Sequence, residues 1–335
     1  MVFLLCLVIA FAAFFAFLNG FRDASAAVAL PVRTRALTPS LAVLLAAVFN
    51  CLGTLSSVVL TAAFAERLFV VPPGRQGLVL LLSALTAASL WGLYLWWRGY
   101  PSSSTHALIS ALVGASLGSA LLGRPALEDI NATMLSLVLL PLLVSPVVAV
   151  VLGFLGVVPT SWAARNTAPS KVNRRMRQLQ SVGGAAVAFG HGLQDGQRTT
   201  AVVLFALVAA GVLGAGDIPL WVVLFTAVFL TAGTVVGGWR ISYTLGNRLV
   251  RLDPMRGFVA QMAAAGLLFV GAIGLHMPLS TTHTVTAAVV GAGSNQRFAA
   301  INGRVMARIA GAWVATPVAC VLLGAVFFLA LSPLS

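Results

Sequence analysis

Two aspartates of this chain, Asp23 and Asp195, lie inside apolar stretches, where a charged group needs a reason. The sequence has only seven acidic residues among 335, and the other five fall in connections between apolar stretches. An aspartate at the centre of a membrane helix costs about 2.5–3.5 kcal/mol on insertion scales. A carboxylate at this depth supplies hard oxygen ligands for a cation or a site for a proton. The alternative is that each aspartate forms a structural ion pair with Arg22 or Arg198.

The surroundings of the two aspartates resemble each other. The segments are NGFRD at 19–23 and HGLQD at 191–195, and both have a glycine three residues before the aspartate. Asn19 and His191 occupy equivalent positions and are candidate ligands, or groups that form hydrogen bonds between helices. Gln194 stands where the first segment has Arg22. The similarity predicts an internal duplication.

Two hydroxyl clusters repeat in the same way, as PSSSTH at 101–106 and PLSTTH at 278–283, each followed eight residues after its histidine by Gly-Ala. Hydroxyls and free backbone N–H groups at a helix N-terminus form a ready anion site. Serine and threonine also cap helices and join helix pairs, which is the structural alternative. The candidate anion ligands are Ser103, Ser104, Thr105, Ser280, Thr281 and Thr282.

The histidines and arginines beside these groups are accessory candidates. His106 and His283 end the hydroxyl clusters, and each could donate to an anion, relay a proton or cap its own helix. Arg22 and Arg198 could neutralise a carboxylate or attract the anion directly. A doubly charged anion such as phosphate beside two carboxylates requires such positive compensation.

The elements that must position these residues are membrane helices. Of all residues, 60% are hydrophobic and 8% charged, whereas a soluble domain has roughly 25% charged residues. A spanning helix needs about 20 mostly apolar residues. Ten stretches approach this: 1–30, 41–64, 77–97, 103–123, 134–157, 180–212, 218–239, 258–276, 280–296 and 305–332. We expect an all-α integral membrane protein with about 10–12 transmembrane segments. Two of them, 103–123 and 280–296, are candidate re-entrant hairpins.

The basic residues predict the topology. Lysine and arginine mark cytoplasmic connections. If the N-terminus is outside, the inner connections hold Arg33, Arg35, Arg98, the basic run 165–177, Arg240, Arg248, Arg251, Arg256, Arg297, Arg304 and Arg308. The outer connections hold Arg67, Arg75 and Arg124 with Glu66, Glu128, Asp129 and Asp217. The net charge of +13 is therefore topological, and no folded basic module for nucleic acid is present.

The duplication divides the chain into a first repeat at 1–158, a basic cytoplasmic connecting loop at 159–178 and a second repeat at 179–335. An odd number of crossings per half gives the halves opposite orientations, the plan of inverted-repeat secondary transporters. No Walker A pattern occurs, so we do not expect ATP as the energy source. We expect no cofactor, only a coupling ion. The three cysteines, Cys6, Cys51 and Cys320, have no metal-ligand spacing.

These motifs resemble the inorganic phosphate transporter (PiT) family over nearly the whole chain. The signatures are NGFRDASAAVALPVRTRALTP at 19–39, AFGHGLQDGQRTTAVVLFAL at 188–207 and the two hydroxyl segments. The resemblance implies phosphate import by sodium or proton symport, a homodimer and a multi-pass place in a bacterial cell membrane. It also implies phosphate contacts from both hydroxyl clusters and equates Asp23 and Asp195 with the signature aspartates.

The chain departs from the family pattern where Arg22, Gln194 and Ala26 replace asparagines. Loss of carboxamide oxygens weakens a sodium site near Asp23 and Asp195 and favours protons. A family relative that carries sulfate leaves the oxyanion open. Two other hypotheses are an intramembrane aspartyl protease, which also pairs two membrane aspartates, and a passive anion channel.

Overall fold

The structure is a computed structural model that describes residues 1–58, 60–61, 70–127, 132–214, 216–296 and 301–335, and for 132–139 it describes the backbone alone. Five residues used above to predict the topology lie outside the described residues: Glu66, Arg67, Glu128, Asp129 and Arg297.

The described chain folds into eleven α-helices, which confirms the all-α class. They are α1 (Val2–Arg33), α2 (Pro39–Ser56), α3 (Arg75–Arg98), α4 (Ser104–Leu121), α5 (Ala132–Ala164), α6 (Pro169–Ala209), α7 (Leu220–Val236), α8 (Trp239–Tyr243), α9 (Pro254–Phe269), α10 (Thr281–Ser294) and α11 (Gly303–Leu331). Short π-helical segments continue α8 over Thr244–Leu249 and α9 over Val270–Gly274, and a 3₁₀ turn at Ser332–Leu334 follows α11.

Seven described helices are long and apolar enough to cross a membrane, and the bent pair of α7 with the α8 segment makes eight. Helix α10 has 14 residues and is about 21 Å long, shorter than a hydrocarbon core of about 30 Å. Helix α6 begins in a run of basic and polar residues. The expected total of about 10–12 segments therefore stays a prediction.

Each stretch predicted as a re-entrant hairpin is one continuous helix, α4 or α10. Helix α4 packs against α3, and α10 packs against α9. A short non-helical segment separates the helices of each pair, at 99–103 and at 275–280. In place of a hairpin within each stretch, the structure has two packed helix pairs, α3–α4 and α9–α10, and each hydroxyl cluster lies where the second helix of its pair begins.

The predicted connecting loop at 159–178 is mostly helical, which corrects that expectation. Helix α5 continues to Ala164 and α6 begins at Pro169, so only residues 165–168 lie outside a helix. Pro169 occupies the first turn of α6, where its fixed φ and missing N–H favour a helix start. The basic side chains that follow are mostly exposed along the first turns of α6.

The helices pack in a reciprocal pattern. Helix α1 packs against α7 while α6 packs against α2, and α4 packs against α11 while α10 packs against α5. Likewise α3 packs against α1 and α9 against α6. This is the pattern of two copies of one five-helix unit, in which α1, α2, α3, α4 and α5 correspond to α6, α7, α9, α10 and α11. The packing supports the internal duplication.

Helices α1 and α6 run in opposite directions through the molecule. One cluster of buried apolar side chains takes residues from 4–15 of α1 and 201–209 of α6. A second takes residues from 26–30 of α1 and 187–188 of α6. The polar segments 19–23 and 191–198 therefore lie between two apolar clusters, where a charged group is held away from water by tertiary packing.

Glycines let these two helices cross their partners backbone to backbone. A Cβ atom on Gly20 would lie 1.9 Å from the carbonyl oxygen of Leu230, and one on Gly192 would lie 2.2 Å from that of Asn50. Small residues allow this close approach in membrane helices. The glycine three residues before each aspartate is thus a closest-contact point, which fixes where the next helical turn lies.

Candidate functional site

The two sequence-predicted aspartates meet at one place. The hydroxyl oxygen of Ser104 lies 3.3 Å from Oδ2 of Asp195 and 3.5 Å from Oδ2 of Asp23. Both carboxylates are buried, with 2% of Asp23 and 1% of Asp195 exposed. The first residue of α4 thus links the signature aspartates of both repeats.

His191 lies against the same two carboxylates. Its Nε2 is 3.3 Å from Oδ2 of Asp195 and 3.9 Å from Oδ2 of Asp23. The ligand atoms of these three residues all lie within 4.8 Å of one another. His191 stands one helical turn before Asp195 on α6, which explains why both side chains point into the same space.

Two residues that the sequence analysis missed, Asn50 and Thr234, hold the other side of the His191 ring. Nδ1 of His191 is 3.0 Å from Oδ1 of Asn50, and Nδ2 of Asn50 donates to Oγ1 of Thr234 at 2.7 Å. With its amide nitrogen committed to Thr234, Asn50 offers an acceptor, so Nδ1 is the donor. The sequence offered one signal for Asn50, namely a single asparagine within the apolar helix α2. Polar side chains inside membrane helices usually bind a partner or form part of a functional site.

That tautomer makes Nε2 of His191 the atom that responds to a cation. A neutral ring with hydrogen on Nδ1 turns the Nε2 lone pair toward Asp23 and Asp195. A proton on Nε2, or a cation held between the ring and the carboxylates, makes this contact attractive.

The arginines behave differently from each other. Arg198 forms an ion pair with Asp195, three residues before it on α6. Arg22 does not pair with Asp23, because its Nη2 donates to Oγ of Ser102 at 2.7 Å and to the carbonyl oxygen of Ser102 at 3.1 Å. The structural ion-pair alternative therefore describes Asp195 and not Asp23.

Asp23 is held by a hydroxyl of the other repeat. Oγ1 of Thr282, in the first turn of α10, donates to Oδ1 of Asp23 at 2.8 Å. Together with Ser104, this residue brings the N-termini of α4 and α10 to the same pair of carboxylates. The convergence of both hydroxyl clusters is what the sequence repeat predicted.

Ser103 and Ser280, which occupy the third position of each hydroxyl cluster, are helix caps. Oγ of Ser103 accepts from the backbone N–H of His106, and Oγ of Ser280 accepts from that of His283, both at 3.2 Å. These bonds satisfy one free donor at the start of each helix. One alternative for His106 and His283 was that each caps its own helix, but the structure shows Ser103 and Ser280 in that role.

Two other cluster hydroxyls are uncommitted. Oγ1 of Thr105 and Oγ1 of Thr281 are buried and have no hydrogen-bond partner among the described residues. The side-chain amide nitrogen and oxygen of Asn19, four residues before Asp23, are likewise buried without a hydrogen-bond partner among the described residues. Buried polar groups without partners are rare, so groups of this kind call for a ligand or water. Each repeat supplies one such hydroxyl.

His106 and His283 lie side by side. Their ring centroids are 4.9 Å apart, and the His283 ring stacks on Trp313 at 4.0 Å. Nε1 of Trp313 donates to the carbonyl oxygen of Pro101 at 2.9 Å. Nδ1 of His106 and Nε2 of His283 are buried without a partner in the described part of the chain.

Gln194 turns away from the carboxylates. Its Oε1 accepts from the backbone N–H of Leu279 at 3.1 Å, in the segment that precedes α10. The Gln194 side chain therefore lies beside the second hydroxyl cluster and does not contact the carboxylates of Asp23 and Asp195.

The donor set defines what the site can hold. Carboxylate and hydroxyl oxygens from Asp23, Asp195, Ser104 and Thr282 suit a small hard cation, while His191 suits a proton. The unpartnered threonine hydroxyls and the two helix N-termini suit an anion. A buried polar centre shared by two helical repeats, inside a bundle of membrane-length helices, is the architecture of a multi-pass transporter.

Comparison with known proteins agrees with that class. A model of the phosphate transporter family matches residues 19–170 and 160–324. The chain is 34% identical over 319 residues to a probable low-affinity inorganic phosphate transporter of Bacillus subtilis, covering 95% of this chain and 94% of that protein. It is 37% identical over 325 residues to one of Rhizobium meliloti, covering 96% and 95%.

A solved structure described as the sodium-dependent phosphate transporter has the same fold, with a TM-score of 0.82, 22% identity, and coverage of 98% of this chain and 99% of that one. This chain belongs to the phosphate transporter family. It is a transporter and not an enzyme, so the intramembrane protease hypothesis is wrong.

Proposed function

We propose that this protein imports inorganic phosphate by symport with a cation, either a proton or sodium. The observation that carries the proposal is the meeting of Asp23 and Asp195 at Ser104 and His191. Two buried carboxylates from opposite repeats give a cation a binding place that both halves share. Ser104 also belongs to a hydroxyl cluster, so the cation place and the anion place adjoin.

Phosphate occupies the space between the N-termini of α4 and α10. The unpartnered hydroxyls of Thr105 and Thr281 donate to its oxygens, one from each repeat. Ser103 and Ser280 orient the first helical turns, whose free N–H groups face the anion. Ser104 and Thr282 connect this anion place to the carboxylates.

The cation balances the charge of Asp23. Asp195 already has Arg198, whereas no described lysine or arginine lies within ion-pair distance of Asp23. A proton on Nε2 of His191, or sodium among the carboxylate and hydroxyl oxygens, supplies the missing charge. Phosphate then enters a site that is less negative, which links its binding to that of the cation. Sodium as the coupling ion has added support from the solved transporter of the same fold, which is described as sodium-dependent.

Transport follows from the repeat. The halves at 1–158 and 179–335 expose the shared site alternately to the two sides, as in other inverted-repeat carriers. The opposite directions of α1 and α6 support this arrangement. The N-terminus lies outside, the membrane is the bacterial cell membrane, and the transporter is a homodimer.

Uptake by reconstituted vesicles tests the proposal. Purified protein in proteoliposomes is given labelled phosphate under a sodium gradient and, separately, under a proton gradient. One gradient should drive uptake, and Asp23→Asn should abolish it. Asp253→Asn is the matched control, because asparagine can still accept the cap hydrogen bond of 2.9 Å from the N–H of Met255, and the substitution removes only a partly exposed ion pair with Arg256.

Three outcomes would contradict parts of the proposal. Undiminished uptake in both Asp23→Asn and Asp195→Asn would remove the cation site. Flux that ignores both gradients would indicate a passive channel. Stronger uptake of sulfate than of phosphate in a competition assay would change the substrate.

A further inference from the structure

We propose that Arg22 and Gln194 are positioning residues that tie each hydroxyl cluster to the helix carrying the aspartate of the same repeat. Each residue immediately precedes its aspartate, and each holds the backbone segment immediately before a helix-capping serine. This inference rests on the anion and cation sites proposed above and assigns how the two are mechanically joined.

In the first repeat the tie is made by a guanidinium. Nη2 of Arg22 donates to Oγ of Ser102 at 2.7 Å and to its carbonyl oxygen at 3.1 Å. Ser102 directly precedes Ser103, the cap of α4. Only 2% of Arg22 and 1% of Ser102 are exposed, so water competes little for these bonds.

In the second repeat the tie is made by an amide. Oε1 of Gln194 accepts from the N–H of Leu279 at 3.1 Å, and its Nε2 donates to the carbonyl oxygen of Met277 at 3.4 Å. Leu279 directly precedes Ser280, the cap of α10. Gln194 is fully buried.

The two ties are equivalent in the repeat although their chemistry differs. Ser102 and Leu279 are the second residues of PSSSTH and PLSTTH, and Arg22 and Gln194 are the fourth residues of NGFRD and HGLQD. The same pair of positions is therefore joined twice, once by a side-chain donor and once by a side-chain acceptor. Preservation of a contact after its chemistry has changed indicates that the contact itself is needed.

A glycine makes room for the Arg22 side chain: a Cβ atom on Gly92 of α3 would lie 2.5 Å from Nη1 of Arg22. A Cβ atom on Gly271 would instead meet the side chain of Leu279, the residue that Gln194 holds. Both glycines belong to the helix that precedes the hydroxyl cluster. Gly92 offers a way to displace the guanidinium without removing its charge.

The mechanical consequence concerns coupling. Because Arg22 is adjacent to Asp23, a shift of the carboxylate when a cation binds moves the segment that orients α4. Gln194 does the same for Asp195 and α10. The positioning residues therefore transmit cation binding to the phosphate site, and loosening either one should weaken phosphate binding and its response to the cation.

The test compares variants by the phosphate concentration that gives half-maximal uptake, measured at high and at low coupling cation. Arg22→Gln and Gln194→Leu should each raise this concentration about tenfold, as expected for one buried hydrogen bond to a charged or backbone group. Arg22→Lys should restore part of the loss. Gly92→Ala should resemble Arg22→Gln although it keeps the charge, whereas Gly266→Ala, which adds a methyl in open space, should resemble the unaltered chain.

A purely structural role predicts something else. If the two residues only stabilise the fold, their substitution lowers the amount of folded transporter, measured by gel filtration, and the maximal uptake rate. The half-saturating phosphate concentration and its dependence on the cation then stay unchanged. That result would overturn the inference. If the unaltered protein takes up phosphate without any cation dependence, symport fails, and the positioning role is still decided by the half-saturating concentration alone.

Discussion

Thr282 donates a hydrogen bond of 2.8 Å to Asp23 across 259 residues of chain. This bond joins the hydroxyl cluster of the second repeat to the aspartate of the first. Neither repeat can complete the carboxylate site alone, because Asp23 takes one hydroxyl from α10 and the other from α4. The alternating access proposed above would therefore require both halves to move relative to one shared centre.

Removal of the Thr282 hydroxyl should impair transport. Thr282→Val keeps the shape and leaves Asp23 without its shortest hydrogen bond, so labelled phosphate uptake should fall about tenfold. Thr282→Ser should recover most activity. Thr86→Val is the control, since among the described residues that hydroxyl bonds only the Leu82 carbonyl oxygen of its own helix, at 2.7 Å. Equal uptake by Thr282→Val and Thr86→Val would contradict a role for the bond.

The two aspartates should differ in their effect on stability. Asp195→Asn leaves Arg198 buried without its partner, which destabilises by about 3–5 kcal/mol in comparable buried pairs. Asp23→Asn breaks no described arginine pair and should lower thermal stability in detergent far less. Adding Arg198→Gln to Asp195→Asn should recover much of the loss. Identical melting of the two single variants would show that the Arg198 pair does not stabilise the fold.

His191 should be required for uptake driven by a proton gradient. His191→Gln removes the titrating ring beside the carboxylates and should abolish that uptake. Asn50→Leu frees the ring to change tautomer and should reduce it about tenfold. His276→Gln, in an exposed connection, is the matched control. Full proton-driven uptake by His191→Gln would contradict a role for this ring in proton coupling.

Gly192 should tolerate no side chain. An added Cβ would meet the Asn50 carbonyl oxygen at 2.2 Å and force α2 and α6 apart. Gly192→Ala should therefore lower both the melting temperature in detergent and phosphate uptake, because Asp195 lies one turn further on. Gly311→Ala, in open space on α11, should change neither. A normal melting temperature for Gly192→Ala would contradict the close helix crossing.

Lys171 provides a direct test of topology, since it is the one lysine in the chain. If the N-terminus is outside and the basic segment inside, a membrane-impermeant amine reagent should fail to label Lys171 in intact cells. It should label Lys171 after permeabilisation, as read by peptide mass spectrometry. Labelling in intact cells would reverse the predicted orientation.

Much of the candidate site could be predicted from the sequence because the chain has an internal duplication, so that each half can be compared with the other. Charged groups inside apolar stretches identified Asp23 and Asp195, and the matching offsets in the two halves predicted that the hydroxyl clusters converge. Composition alone established a membrane helix bundle, since a chain with 8% charged residues cannot cover a water-facing surface. These inferences need only residue type and spacing.

Other features were decided only by tertiary structure, because they depend on which side chains meet across long separations. Arg22 and Arg198 look alike in sequence, yet Arg198 pairs with its aspartate while Arg22 reaches Ser102, 80 residues away. His191 owes its tautomer to Asn50, 141 residues away. The sequence repeat determined which residues gather at the centre. The close packing of the helices determined which of them pair, because a hydrogen bond of about 3 Å is much shorter than the distance of about 8–10 Å between helix axes. A side chain can therefore bond only the groups that packing places directly beside it.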